Sequence, residues 1–323
     1  MRVQLTRRQA SILLATLPTL GYAAQYPERP IEWVVPYAAG GGTDVVARVI
    51  SEPMGKALGQ NIIVSNKPGA ATNIGADSVA RSKPDGYTML TGDTGTLAAN
   101  PFLYSKLSYS AEKDFASVGL LVRFPMLLVV NSQLPIHNYA EFVNWVKAQS
   151  SGASYGTPGA GSPHHLATEL LKSHSKLNFV HVPYRGAAPA VQDVVAGQTP
   201  FMFVDTASGI QHVQGGKIRA IAVASPKRLP TMPNVPTLDE QGIKGFEAYA
   251  WQGVVVPAST PKDRIEVLSK ALHTALTNPD AKKKLEAMGL EVTPSSTSEM
   301  DAYAKSEREK WSRVIKESQI KLD

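Results

Sequence analysis

Three consecutive glycines, Gly40–Gly42, join an apolar strand-like run, residues 31–37, to a helix-like run that begins near Thr43 and Asp44. A strand that ends in glycines and feeds a helix exposes backbone N–H groups with no intrahelical partner. Those groups and the positive end of the helix dipole favour an anion held by backbone. The segment is not a phosphate loop, because no Lys follows at the required spacing, and it is not a dinucleotide fingerprint, because the third glycine would fall at Val45. Three further loops share the logic. Residues 154–166 follow a strand and open a helix, with Ser162 as N-cap and Pro163 at the first helical position. Residues 182–189, carrying Tyr184, Arg185 and Gly186, do so again. Thr91, Asp93 and Thr94 lie in a fourth loop rich in hydroxyls and glycine.

Such loops need elements to place them. Apolar strand-like runs alternate with helix-like runs along the chain, which predicts parallel α/β layers. Strands are expected at 31–36, 62–65, 88–91, 126–130, 153–156, 179–182, 201–204, 220–224 and 253–256. Helices are expected at 43–58, 73–82, 138–149, 162–173, 187–196, 261–277, 279–288 and 298–318. In open α/β sheets, ligands sit outside the carboxyl ends of strands. Four polar loops at such ends, split between two halves of the chain, predict a cleft between domains. Each helix N-terminus contributes about 0.3–1 kcal/mol, and hydrogen bonds to a charged acceptor about 1.5–3 kcal/mol each. Two such ends on one carboxylate reach micromolar affinity, about −8 kcal/mol, with no side-chain cation. Arg185 is open between an ion pair with the ligand and a solvated loop position.

Other chemistries find less support. The chain has no Cys, which removes thiolate nucleophiles, Cys–zinc sites and disulfides. His164 and His165 are adjacent on a helix, point about 100° apart, and lack further ligands at metal spacing. Gly161-Ser162-Pro163 is not a hydrolase nucleophile elbow. No cofactor is expected. The formal charge is +6, of which residues 1–23 carry three arginines and no acid, and no basic stripe is interleaved with aromatics, so nucleic acid is not an expected partner. Residues 1–23 read as an export signal: a basic start, a short apolar stretch broken by Pro18, and small residues near a cleavage point at Ala23. No run is long enough to span a bilayer. A periplasmic, monomeric protein of two domains is expected.

Ordered motifs strengthen this reading. Val35-Pro-Tyr-Ala-Ala-Gly-Gly-Gly-Thr-Asp44, Asn66-Lys-Pro-Gly-Ala70, Pro84-Asp-Gly-Tyr-Thr-Met-Leu90, Tyr155-Gly-Thr-Pro-Gly-Ala-Gly-Ser162 and His181-Val-Pro-Tyr-Arg-Gly-Ala-Ala-Pro-Ala190 resemble the Bug family. These are the periplasmic receptors of tripartite tricarboxylate transporters. The likeness runs from about Tyr26 to the C-terminus and includes Trp251–Ala258 and Trp311. It implies an α/β, two-domain fold of the type II periplasmic-binding-protein kind, each domain a mostly parallel sheet flanked by helices. Domain one would be 25–125 plus 253–323 and domain two 126–252, with hinge strands near 120–126 and 248–254. It implies that Ala39, Gly40, Gly41, Gly42, Thr43 and Asp44, with Thr157, Gly159, Ala160, Gly161 and Ser162, grip a small carboxylate through backbone N–H groups and bridging waters. Tyr184, Arg185, Gly186 and Asp205 match further family positions, and His165 a recurring one. Pro158 and Ala160 depart from the family's small residue and Asn, which makes the pocket less polar and admits a larger or aromatic acid such as terephthalate. Asp205 repels a carboxylate unless it accepts from a ligand hydroxyl or amine, or water screens it. The implied partners are a di- or tricarboxylate or aromatic carboxylate and the membrane components of the transporter. An exported enzyme of small acids and a carboxylate sensor for a membrane signalling protein are the alternatives.

Overall fold

A computed structural model describes residues 26–322; the expected export signal lies outside the described residues. The first half builds from β1 (Ile31–Val35), α1 (Gly42–Leu58), β2 (Ile62–Asn66), α2 (Asn73–Ala80) and β3 (Thr88–Asp93). A π-helical turn, Thr94–Ala99, leads into the short α3 (Asn100–Leu103) and then β4 (Phe115–Asn131). The second half adds α4 (Tyr139–Lys147), β5 (Ala153–Thr157), α5 (Pro163–Ser175), β6 (Phe179–Pro183), α6 (Ala187–Val195), β7 (Phe201–Asp205), α7 (Thr206–Gln214) and β8 (Ile218–Val223). The chain returns through β9 (Tyr249–Pro257) to α8 (Lys262–Leu276), α9 (Pro279–Ala287), β10 (Glu291–Val292) and α10 (Thr297–Glu317).

Every expected strand and helix is present, within a few residues at its ends. The π-helical turn, α3 and β10 are short additions, and two longer elements differ. The expected strand at 126–130 is the tail of the 17-residue β4, which carries Gly119, Arg123 and Pro125 in its body. The helix α7 has no expected counterpart, because its sequence, TASGIQHVQ, holds few apolar residues and a mid-helix glycine. Gly209 is required there by packing: a Cβ would sit 2.5 Å from Val204 Cγ1.

The strands form a curled sheet in the order β2-β1-β3-β9-β4-β7-β5-β6, with β8 and β10 also paired to β4. Pairing is parallel within β2-β1-β3 and within β7-β5-β6, as α/β alternation dictates. The strands that join the two runs are antiparallel to their neighbours, because β4 carries the chain out of the first lobe and β9 carries it back. The sheet as a whole is therefore mixed. Trp33, Val35, Val46, Ile50, Val122 and Leu272 bury the first lobe's α1–α8 face, and Leu127, Val191, Met202 and Val204 bury a face of the second. A third apolar cluster runs through both lobes, from Val34 and Leu90 to Tyr155 and Phe201.

Register shows where the two parallel runs point. Asp93, at the carboxyl end of β3, pairs with Gln252 of β9, which pairs with Val122 of β4. Asp205, at the carboxyl end of β7, pairs with Met126. Both runs thus end on the same short stretch of β4, Val122 to Met126, four rises or about 13 Å long. The loops that follow them meet over the crossing strands. The lobes also touch beside this line, where Thr206 Oγ1 donates to Gly289 O at 2.7 Å and Ser173 Oγ donates to Glu317 Oε2 at 2.9 Å.

Candidate functional site

The loop after β1 has the geometry that its glycines predict. Residues 37–42 are exposed, and Gly41, the N-cap of α1, has no side chain to cap the helix. The first intrahelical bond is Val45 N to Gly41 O. The amides of Gly41, Gly42 and Thr43 meet no acceptor among the described residues. Gly40 has φ +83°, a left-handed conformation suited to glycine. Its amide donates to Asp44 Oδ2 at 2.8 Å, so Asp44 braces the loop rather than lining it. Asp44 also receives Arg48 Nε at 2.9 Å and Asn66 Nδ2 at 2.9 Å. The Arg48 bond leads in holding its carboxyl down to about 2, with help from Gly40 and Asn66 against the cost of burial.

The loop at 91–96 supports this one from below. Thr91 Oγ1 accepts from the Trp33 indole at 2.8 Å, and Thr94 Oγ1 accepts from Trp251 N at 2.9 Å. Asp93 caps the π-helical turn by accepting from Thr96 N at 2.8 Å, and its other oxygen accepts from the Tyr37 hydroxyl. Burial pushes the Asp93 carboxyl up against these bonds. The Tyr37–Asp93 bond ties the glycine loop to β3. The structure thus gives Thr91, Asp93 and Thr94 internal partners at the loop's base.

The loop after β5 is built differently. Gly159 N donates to Thr157 Oγ1, Ser162 N to Gly159 O, and Gly161 N to His165 Nδ1 at 3.0 Å. Ser162 Oγ caps α5 by accepting from His165 N. Tyr184 N and Gly186 N bond Thr157 O and Pro158 O, which knits the two loops together. The exposed Ala160 amide meets no acceptor among the described residues. Most amides of this second loop are therefore already satisfied, whereas at the start of α6 Gly186 brings no side-chain cap and the amides of Ala187 and Ala188 meet no acceptor among the described residues. His165 holds the loop from beneath: its ring stacks on His181 at 3.9 Å, and burial leads in lowering it to about 3, so it stays neutral and keeps Nδ1 as an acceptor. The Tyr184 hydroxyl donates to Asp193 Oδ2 at 2.7 Å, and Arg185 is exposed and pairs with no acid among the described residues.

Two side chains outside the sequence expectation complete the site. His164 Nε2 lies 3.0 Å from Asp205 Oδ2, while Asp205 Oδ1 caps α7 by accepting from Ser208 N at 2.9 Å. Burial opposes the Asp205 charge, but the His164 and Ser208 bonds outweigh it and hold the carboxyl below its ordinary range. The N-termini of α5 and α7 meet at this pair, and His164 Nδ1 is buried without a partner. On the other side, Gln252 Nε2 donates to Thr43 Oγ1 at 2.7 Å, and Gln252 Oε1 is buried without a partner. Phe124 of β4 approaches the same turn, 3.7 Å from where a Cβ on Gly42 would stand. A polar residue inside the apolar run of β9 was the available signal for Gln252. His164 carried no such signal, because its bond to Asp205 joins residues 41 positions apart.

A space of about 670 Å³ lies elsewhere, between α8, α10 and the start of β4. Its rim mixes acids and bases, among them Glu112, Lys262, Asp301 and Arg308, and Glu112 and Arg308 pair with each other. No group of acidic and histidine side chains among the described residues is arranged to hold a metal, and no helix there is long and apolar enough to cross a membrane.

Comparison with known proteins finds the same fold and a family. The model of the tripartite tricarboxylate transporter family receptor, TctC, matches residues 46–320. The periplasmic binding protein BugD is 36% identical, with TM-score 0.80 over 92% of this chain and all of that one. A protein of R. palustris solved with adipate is 31% identical, with TM-score 0.83 over 92% of this chain and all of its own. MatC of Rhodopseudomonas palustris, solved with bound malate, is 34% identical, with TM-score 0.79 over 90% of this chain and all of its own.

Proposed function

The chain belongs to the tripartite tricarboxylate transporter receptor family, and on that premise we propose that it captures a small carboxylate in the periplasm and delivers it to the membrane components of such a transporter. The observation that carries the reading is the uncapped N-terminus of α1. Gly41, Gly42 and Thr43 present free amides beside the crossing strands, and the helix behind them is 17 residues long. A carboxylate on those amides meets charge-assisted hydrogen bonds and the positive end of the dipole together. Relatives solved with adipate and with malate support a dicarboxylate. The first carboxylate sits on the α1 turn, and the ligand's far end reaches the second lobe at Ala160, His164 and Asp205.

Capture is a closure rather than a reaction. β4 and β9 are the two crossing strands, so the lobes turn about the region where β4 leaves β9 and joins β7, near Pro125 and Met126. A ligand that touches both lobes selects the closed state by its differential contacts. The neutral His165 and the braced Asp44 keep both loops in shape across the physiological pH range. A thermal-shift screen over aliphatic, hydroxy- and aromatic carboxylates tests the reading. At about 100 times its Kd, a true ligand adds about 2.7 kcal/mol of stability. Unchanged melting with every acid, or melting raised only by cations, contradicts it.

A further inference from the structure

We propose that Gln252 selects acids that carry a hydroxyl on the carbon next to the bound carboxylate. The inference rests on the carboxylate reading above and refines it. Gln252 is 5% exposed, yet only half of its amide is used. Nε2 donates to Thr43 Oγ1 at 2.7 Å, which fixes the amide head against the first turn of α1. Oε1 is buried and meets no partner. Gln252 shares a sheet face with its register neighbours Asp93 and Val122. Oε1 needs a donor, and the Asp93 oxygens do not serve as one: they accept, from the Tyr37 hydroxyl and from Thr96 N.

The position of the orphaned atom decides what it reads. A carboxylate seated on the Gly41–Thr43 amides puts its neighbouring carbon beside Thr43, within reach of the Gln252 head. A hydroxyl on that carbon donates to Oε1 and removes the cost of a buried unpaired acceptor. Should the amide turn over, Thr43 donates to Oε1 and Nε2 faces the ligand, where the same hydroxyl accepts. A hydroxyl is both donor and acceptor and satisfies either arrangement. A plain methylene satisfies neither. Sites built to bond a ligand hydroxyl reject analogues that lack it more strongly than apolar pockets reject a missing methylene.

Isothermal titration of the exported chain with matched pairs tests this: malate against succinate, lactate against propionate, and mandelate against phenylacetate. The hydroxy acid of a binding pair is expected to bind at least about tenfold more tightly. In Gln252→Leu that ratio falls to within about threefold. Gln252→Met, of similar reach and without an amide, replaces it if the leucine variant loses its fold by circular dichroism. Equal affinities in the native protein, or a ratio that survives both substitutions, overturns the assignment of Gln252 and leaves carboxylate capture standing. Binding of no acid from any pair overturns carboxylate capture and this inference with it.

Discussion

Gly40 and Gly41 are neighbours with opposite tolerances, and the difference makes a clean experiment. Gly40 is left-handed at φ +83°, so any side chain there strains the backbone by about 1 kcal/mol. Gly41 has φ −75° and ψ 166°, which proline adopts without strain, and its amide bonds nothing in the protein. A Cβ at Gly41 would come no nearer than 3.6 Å to another atom. Gly41→Pro is therefore expected to leave the melting temperature within a degree or two of native and to weaken carboxylate binding at least about tenfold, the worth of one hydrogen bond to a charged acceptor. Calorimetry and titration on the same sample read both. Retained affinity would show that the anion does not use this amide. The free amides of the glycine triplet were legible in the sequence because glycine has no side chain to cap a helix. His164 and Gln252 were not, since an orphaned atom exists only once distant residues have enclosed it.

At the scale of elements, α10 is what steadies the return strand. Trp251 of β9 and Trp311 of α10 are fully buried, and both indoles donate to Glu307 Oε2, at 3.1 and 2.9 Å. Lys310 pairs with the other oxygen of Glu307. One buried carboxylate thus fastens the C-terminal helix to the strand that carries Gln252. Glu307→Ala strands two indole N–H groups and the Lys310 charge, and is expected to cost about 3 kcal/mol in urea unfolding followed by tryptophan fluorescence. A loss below about 1 kcal/mol would mean that apolar packing alone seats α10. The helix itself was legible, because its capping box at Ser296 and Glu299 and its one-sided apolar spacing are local. The hidden elements were those whose reason is not local. α7 forms over a mid-helix glycine that its neighbour strand demands. β4 reads as a short strand because Arg123 and Pro125 interrupt its apolar run, while pairing with β9 and then β7 keeps it extended for 17 residues.

At the scale of the molecule, the two lobes do unequal work. The first offers three free amides and a half-used glutamine. The second has spent most amides of its β5 loop on its own shape and offers Ala160, the uncapped first turn of the nine-residue α6, His164 and the Asp205 cap. The account therefore places the anion on the first lobe and assigns the second to closing over it. The most direct measurement is a crystal structure of the protein with a dicarboxylate that raises its melting temperature. The account predicts carboxylate oxygens about 3 Å from the amides of Gly41, Gly42 and Thr43, with the far end of the ligand against the second lobe. A ligand seated in the space between α8 and α10, or in the cleft with its carboxylates turned away from α1, would contradict it.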